Sequence, residues 1–319
     1  MVFGDQVGTI QINEDSVWAG SPIDRHREPS AGALEKARRL WFEGEVVAAQ
    51  KIMQDEFMSE RLVRSHQTLG TVETRVGEDF ESIRDYRRSL DLSTGVTETS
   101  FVADGHRVRC RMFASEPDQV IVVHWETEDP EGFLAGHRRG LPSVGSIEGE
   151  TIMPPDRVVR MHVGRAVNGE HAGVEWATAV AHRVDDSIDD ATLEDPCRSY
   201  TVFIAAATDY AARIASVGRY GRPDPRPILQ APRDAVLGRV NAAIERDFDD
   251  LLRRHVASFT PMMERVSVDL GETSQAAKPT DVRLEELAAG REDPSLFSLY
   301  FQFARYLLVS CSQIGRAHV

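Results

Sequence analysis

A cluster of polar residues beside a tryptophan lies near the start of the chain. Asn13, Glu14 and Asp15 place an amide and two carboxylates side by side, and Trp18 follows closely. Amide and carboxylate groups form hydrogen bonds with hydroxyl groups, and a tryptophan face packs on the apolar face of a sugar. The same polar residues are ordinary at a strand end, where they bond to nearby backbone. Two interpretations therefore stay open for these four residues: a structured strand end and a carbohydrate-binding site.

Acidic pairs crowd a second segment, at Asp185-Asp186, Asp189-Asp190 and Glu194-Asp195. Paired carboxylates can bind calcium or serve as acid and base in glycoside hydrolysis. Their spacing lacks the EF-hand pattern and its closing glutamate, so we expect a solvated acidic loop.

Metal-binding and nucleophile motifs are absent from the sequence. The 10 histidines form no H-x-x-x-H or H-E-x-x-H, and there is no G-x-S-x-G, G-x-G-x-x-G or Walker loop. His124 and His162 lie in strand-like runs, where satisfied core or surface groups are more common than ligands. Cys110, Cys197 and Cys311 lie far apart, so we expect buried small hydrophobic residues. No metal or cofactor is expected.

Composition limits the partners. Lys and Arg number 37 against 51 Asp and Glu, a net charge of −14, which disfavours nucleic acid. No apolar run approaches the roughly 20 residues of a membrane helix, so no membrane partner is expected. The 319 residues exceed one usual domain, and 41% hydrophobic residues suffice for ordinary cores. The cellular location stays undetermined.

The elements that would position these residues change in type along the chain. Apolar residues at helical spacing in residues 32–59 predict two short helices, separated by Gly44 and packed on a sheet. From residue 66 to 207, short alternating runs with regular turns indicate a large antiparallel sandwich. Asp104-Gly105 between two such runs predicts a two-residue hairpin.

The chain becomes helical again after a proline-rich linker at residues 223–227. Amphipathic helices are predicted over residues 234–244 and 248–263. A further helix is predicted to begin at Asp293-Pro294, with the aspartate as its N-cap.

Several segments, taken in order, resemble glycoside hydrolase family 95, the α-L-fucosidase family. The opening Met1-Val-Phe-Gly4 is followed by I-Q-I-N-E-D-S-V-W-A-G-S-P. The later landmarks are S-H-Q-T-L-G-T-V at 65–72, Y-R-R-S-L-D-L-S-T-G at 86–95, R-V-R-C-R-M-F-A-S-E-P-D-Q-V-I-V-V at 107–123, R-R-H-V-A-S-F at 253–259, R-V-S-V-D-L-G at 265–271 and L-Y-F-Q-F-A-R-Y-L-L-V-S-C-S at 299–312. Cys110 and Ala304 depart from the family pattern, and residues 126–200 match only loosely.

The resemblance implies an α+β multidomain fold. Residues 1–222 would form an N-terminal antiparallel β-sandwich of the super-sandwich type, and residues 223–280 a helical linker. Residues 281–312 would form the first helices of an (α/α)6 catalytic barrel that is truncated here.

The resemblance also implies the activity: inverting hydrolysis of terminal L-fucosides from fucosylated oligosaccharides or plant or host glycans. The family's general-acid glutamate, two asparagines and assisting aspartate would follow Ser312, so we assign none of them here. The chain alone is therefore expected to be inactive, since it lacks the acid and the activated water.

Both ends of the chain suggest a gene fragment. Relatives in the family usually begin before the equivalent of Met1, so this methionine is expected to be internal. The residues I-G-R-A-H-V at 314–319 back-translate to a common sequencing adapter, so residues 313–319 are expected to be a foreign tail.

Two other functions stay open. One is a phosphorylase-like relative that joins a sandwich to the same barrel. The other is a non-catalytic carbohydrate-binding or interaction module. The fucosyl linkage, a preference for L-galactose and the oligomeric state are not determined by the sequence.

Overall fold

A computed structural model describes residues 9–19, 28–58, 65–77, 80–133, 135–140, 148–152, 159–168, 171–184, 196–210 and 231–312. The opening Met1-Val-Phe-Gly4, the acidic pairs, the proline-rich linker and residues 313–319 lie outside these ranges.

The described strands are β1 (Thr9–Gln11), β2 (Thr71–Val76), β3 (Ile83–Asp91), β4 (Val96–Ala103), β5 (His106–Ser115), β6 (Val120–Thr127), β7 (Ala135–Gly140), β8 (Glu148–Ile152), β9 (Val159–Asn168), β10 (His171–Val184) and β11 (Ser199–Thr208). The described helices are α1 (Ala33–Phe42), α2 (Val46–Phe57), α3 (Pro232–Ile244), α4 (Phe248–Met263), α5 (Thr280–Ala288) and α6 (Pro294–Ser312), with a 3-10 turn at Ser274–Ala277.

The strands form two antiparallel sheets. The large sheet has the order β3-β4-β5-β6-β11-β10-β9-β8, and the small sheet has the order β1-β2-β7. Asp104 and Gly105 join β4 to β5 with φ of 50° and 92°, so the predicted hairpin is confirmed. Only residues that tolerate a left-handed backbone make so tight a connection.

The two sheets pack face to face, as the sequence predicts. Ile10, Val72 and Ala135 of the small sheet share one apolar core with Trp125 and Tyr200 of the large sheet. The buried Trp125 indole donates a hydrogen bond to Thr74 across the layers, at 3.2 Å. The antiparallel sandwich is therefore confirmed.

The opposite face of the large sheet is covered by α3 and α4. Val236 and Val240 of α3 pack with Val122 and Phe203 of the sheet, and Leu251 of α4 joins them. Neighbouring residues of β6, such as Val122 and Val123, are both buried because they face different layers. The large sheet is thus the middle of three layers. Helices follow the sandwich along the chain, as expected for the start of a helical barrel.

The helices α1 and α2 form a hairpin around Gly44, whose φ is 85°. They pack against each other and leave Trp41 and Val47 56% and 80% exposed. Their most extensive contact is with each other, and the packing of this apolar stripe on a sheet stays a prediction.

The last helices are joined by a buried ion pair. Arg283 of α5 donates to both carboxylate oxygens of Asp293, at 2.8 and 2.9 Å. Asp293 also accepts from the backbone N–H of Leu296, which confirms it as the cap of α6. Among the helices described here, none combines the length and apolarity needed to cross a bilayer.

Candidate functional site

The strand-end segment, residues 12–19, forms backbone hydrogen bonds with two parts of the sandwich. On one side, Ile12 donates to Gly70 and Ala19 donates to Ser65, at 2.8 and 2.9 Å. On the other side, Val174 of β10 donates to the Trp18 carbonyl at 3.2 Å. The segment is therefore a fixed part of the fold.

Gly173 is what allows the strand-end segment to lie against β10. A β-carbon at this position would collide with the Trp18 carbonyl oxygen and lie 2.7 Å from the α-carbon of Ala19. The register of β10 against β9 shifts between Ala172 and Glu175, so the approach falls at a bulge. Such close backbone contact is a common reason for glycine within a strand.

The Glu14 carboxylate is turned toward Ser16. One of its oxygens accepts from the Ser16 backbone N–H and hydroxyl, at 3.0 and 2.6 Å. The Ser16 hydroxyl shares a second, short hydrogen bond with Thr208 at the end of β11. Burial raises the pKa of Glu14, and the neighbouring Asp15 charge adds to this, whereas the Ser16 hydrogen bonds oppose it.

Arg239 of α3 adds a charge to this region. Burial lowers the pKa of its guanidinium, and the negative charge of Glu14 partly restores it. The guanidinium also donates to the Ala206 carbonyl of β11, at 2.6 Å. Glu14 thereby links the strand-end segment electrostatically to the helical layer.

The Trp18 ring is held by its neighbours. Its indole N–H donates to the Asp15 carbonyl at 2.8 Å, and its edge meets the His66 ring with centroids 5.3 Å apart. His66 in turn bonds the Glu14 carbonyl through Nε2, at 2.8 Å. The tryptophan keeps partial exposure, so a fixed ring remains accessible at the surface.

The four residues considered as a carbohydrate-binding site thus have two different roles. Asn13 and Asp15 are exposed, and Trp18 is half-buried. Glu14 bonds within the segment and supports its shape. The exposed amide and carboxylate beside a fixed aromatic ring can bind hydroxyl groups and pack on a sugar face.

The two histidines considered in the sequence, His124 and His162, are both buried. His124 is 6% exposed, shares a hydrogen bond with Thr201 at 2.8 Å and stacks on Phe248 at 4.0 Å. His162 of β9 is also 6% exposed. Within the described residues, no group of three or more His, Cys, Asp or Glu side chains is arranged to hold a metal.

The cysteine prediction is correct for two of three residues. Cys110 and Cys197 are buried in the sandwich core, and burial raises the pKa of the Cys110 thiol. Cys311 is exposed on α6, so its predicted burial is wrong. The prediction rested on the usual burial of free cysteine, whereas α6 exposes much of its surface among the described residues.

Sequence reasoning did not single out the residues that support the strand-end segment. Ser16, His66, Gly173, Thr208 and Arg239 come from separate parts of the chain. Ser16 and His66 fall within segments that resemble the family, which was the only available signal. The contribution of the other three depends on long-range strand and helix packing.

Comparison with known families covers most of the chain. Residues 1–213 match the model described as glycosyl hydrolase family 65, N-terminal domain. Residues 247–318 match the glycosyl hydrolase family 95 catalytic domain.

Two curated relatives match nearly the whole chain. Alpha-L-fucosidase 2 of Arabidopsis thaliana is 26% identical over 96% of this chain and 38% of its own length. Probable alpha-fucosidase A of Aspergillus niger is 23% identical over 96% of this chain and 39% of its own length. The chain therefore spans less than half the length of these relatives.

Among solved structures, a putative kojibiose phosphorylase from human microbiome has a TM-score of 0.44 and 12% identity. The match covers 64% of this chain and 29% of that one. The resemblance to family 95 noted in the sequence is confirmed by the catalytic-domain match and by the two fucosidase relatives. The chain belongs to the family described as glycosyl hydrolase family 65, N-terminal domain, over residues 1–213, and its residues 247–318 are similar to the glycosyl hydrolase family 95 catalytic domain.

Proposed function

We propose that this chain is the sandwich and first helical part of an α-L-fucosidase, which releases terminal L-fucose from oligosaccharides with inversion. The observation that carries the proposal is the match of 96% of the chain to alpha-L-fucosidase 2 of Arabidopsis thaliana. The family 95 catalytic-domain match over residues 247–318 supports it independently of the sandwich.

In the proposed domain organisation, residues 1–222 form the sandwich, residues 223–280 form a helical linker, and residues 281–312 form the first barrel helices. The packing of α3 and α4 on the large sheet supports a linker that fixes the sandwich to the catalytic part. The acid and the activated water would come from the catalytic part, whereas the sandwich would contribute binding surface.

Within that scheme, Asn13, Asp15 and Trp18 contact the glycan, and Glu14 holds the segment in shape. The ring of Trp18 offers stacking, and the side chains of Asn13 and Asp15 offer hydrogen bonds to hydroxyl groups. The hydrogen bonds from Trp18 to Asp15 and from His66 to Glu14 support a pre-organised binding surface.

The activity is tested with the protein expressed from the complete reading frame of its gene. We expect release of L-fucose from 2′-fucosyllactose, with the β-anomer appearing first in proton NMR because the reaction inverts. The present chain assayed alone should release none. Release of phosphorylated sugar only in the presence of phosphate, or no fucose release by the complete protein, would contradict the proposal.

The binding role is tested in the same complete protein with Trp18→Ala and Trp18→Phe. The alanine variant should raise KM by about fivefold, the usual scale of one aromatic contact, while phenylalanine keeps most of the stacking. Trp41→Ala on α1 is the matched control, because that ring is also exposed. Unchanged KM and unchanged melting temperature in Trp18→Ala would remove the residue from the site.

A further inference from the structure

A groove lies at one edge of the sandwich. Among the described residues, the large sheet has eight strands and the small sheet has three, so part of the face of the large sheet extends beyond the described strands of the small one. A cavity of about 280 Å³ is lined jointly by Ile10 of β1 and by residues of β3, β4, β5 and β6. We call it the edge groove and define it by Ile10, Arg88, Leu90, Thr97, Thr99 and Met112.

The strand register explains why these side chains share one face. Leu90 pairs with Thr97 and Arg88 pairs with Thr99 across β3 and β4. Thr97 in turn pairs with Met112 of β5. Directly paired residues project on the same side of a sheet, and Ile10 closes the groove from the small sheet.

The edge groove combines apolar and polar surface. Ile10, Leu90 and Met112 supply aliphatic surface, whereas two threonines and Arg88 supply polar groups. The Thr97 hydroxyl donates to the Met112 carbonyl at 3.2 Å, so its oxygen can still accept a hydrogen bond. Glu98 pairs with Arg109 at 3.9 Å, which compensates its charge.

An aromatic ring lies on β3, the strand that also contributes Arg88 and Leu90 to the edge groove. Tyr86 lies two residues before Arg88 on β3, and its ring stacks on Phe101 with centroids 6.4 Å apart and planes at 21°. The residue remains 44% exposed. A register shift between Arg84 and Arg87, with a φ of 56° at Asp85, accompanies this placement.

We propose that the edge groove binds one neutral sugar unit of an oligosaccharide, as a site separate from the strand-end segment. Sugars present apolar C–H faces and hydroxyl rims, which match the mixture of aliphatic, threonine and arginine surface. Pockets for drug-sized ligands begin near 300 Å³, so a cavity of this size suits a single ring. The choice of a glycan rests on the proposed function, whereas the groove itself rests on the geometry.

Neither a purely apolar nor an anionic ligand fits the edge groove as well. An acyl chain would displace water from the Arg88 guanidinium and offer it no hydrogen-bond acceptor in return, which is costly. An anion would find one arginine among aliphatic groups, whereas anion sites usually gather several donors.

The binding is tested on the full chain by titrating it with cellotetraose, a neutral oligosaccharide without fucose. The readout is NMR of isotope-labelled methionine methyl groups, because Met112 lines the groove. Met161 and Met263 are buried elsewhere and serve as internal controls. We expect a saturable shift of the Met112 methyl signal and unchanged Met161 and Met263 signals.

Variants locate the binding. Tyr86→Ala should weaken it about fivefold, and Arg88→Ala about tenfold, in line with one aromatic contact and one charged hydrogen-bond donor. Tyr86→Phe should keep most of the affinity and shows that the fold tolerates a change there. Arg87→Ala is the matched control, because Arg87 pairs with Ser100 and alternates to the opposite face of β3.

The outcomes separate this inference from the proposed function. No Met112 response, or equal weakening by Arg87→Ala and Arg88→Ala, overturns the edge groove as a glycan site even if the complete protein hydrolyses fucosides. A Met112 response to hexanol as strong as that to cellotetraose overturns the ligand class. A specific Met112 response with no fucoside hydrolysis by the complete protein leaves the groove in place and overturns only the fucosidase proposal.

Discussion

The Glu14 carboxylate lies at the point where the strand-end segment meets the core. Its hydrogen bonds go to Ser16, and Ser16 continues the contact to Thr208. A buried carboxyl with local donors shapes a segment, whereas exposed neighbours such as Asn13 are free to contact a ligand. The two kinds of residue therefore respond differently to substitution.

Glu14→Ala should lower the free energy of unfolding by about 1–3 kcal/mol, because the Ser16 N–H and hydroxyl lose their acceptor in a partly buried place. Asn13→Ala, the exposed neighbour, should change it by less than about 0.5 kcal/mol. Urea unfolding of the two variants beside the parent chain measures both values. An equal loss in the two variants would show that Glu14 has no supporting role.

Glu14→Gln should change the pH dependence of stability. The pKa of Glu14 is raised in the folded protein above the ordinary 4.5, so the folded state holds the proton to higher pH than the unfolded state. Stability from this group is thus lost as pH rises from 4.5 through the raised value. The free energy of unfolding should fall less steeply over that interval in the glutamine variant. Identical slopes in the two proteins would mean that burial of the carboxyl is not maintained in solution.

At the scale of secondary-structure elements, the contact of β10 with the strand-end segment depends on a single glycine. Gly173→Ala should destabilise the protein by about 1–3 kcal/mol, since a methyl group would overlap the Trp18 carbonyl. Gly136→Ala on β7 is the matched control, because a β-carbon there meets no atom within 4 Å. Chemical denaturation gives both values. A Gly173→Ala protein as stable as the control would contradict the close packing.

The first residue of α4 anchors that helix to the large sheet. The Phe248 ring packs on His124 and Phe113, with centroids 4.0 and 5.9 Å away, and the Arg111 guanidinium lies 4.4 Å from its centre. Phe248→Ala should cost about 3–5 kcal/mol, as expected for a buried aromatic residue. Phe297→Ala on α6 is the control, because Phe297 is 55% exposed. If both substitutions cost the same in thermal and urea unfolding, α4 is not held by this ring.

At the scale of the whole molecule, the described residues expose large apolar side chains on two helical parts, the α1–α2 hairpin and α6. The exposed side chains of α6 include Phe297, Tyr300, Phe303, Leu307 and Leu308. Contiguous apolar patches on a soluble chain mark contact surfaces and promote association.

The chain should therefore self-associate as its concentration rises, measured by size-exclusion chromatography with light scattering. Tyr300→Lys combined with Leu308→Lys should shift it toward the monomer, because charges on this face oppose burial. Phe42→Lys, on the exposed side of the α1–α2 hairpin, tests whether that surface contributes instead. A monomer at every concentration would rule out association through α6.

Local interactions explain what the sequence by itself determined. The hairpin at Asp104-Gly105, the bounds of α4 and the Asp293 cap of α6 depend on residues within a few positions of one another. The landmark segments also identified the family, because their order along the chain is specific. Periodicity could show that α1 and α2 have apolar stripes, but it could not show what those stripes contact.

Tertiary structure decided everything that joins distant parts of the chain. Glu14 lies near Thr208 and Arg239 only because β1, β11 and α3 come together. The edge groove likewise joins distant parts of the chain, because β3 to β6 pair in one register and β1 of the other sheet approaches them. The physical reason is that burial and register are set by long-range packing, which residue type and local spacing do not encode.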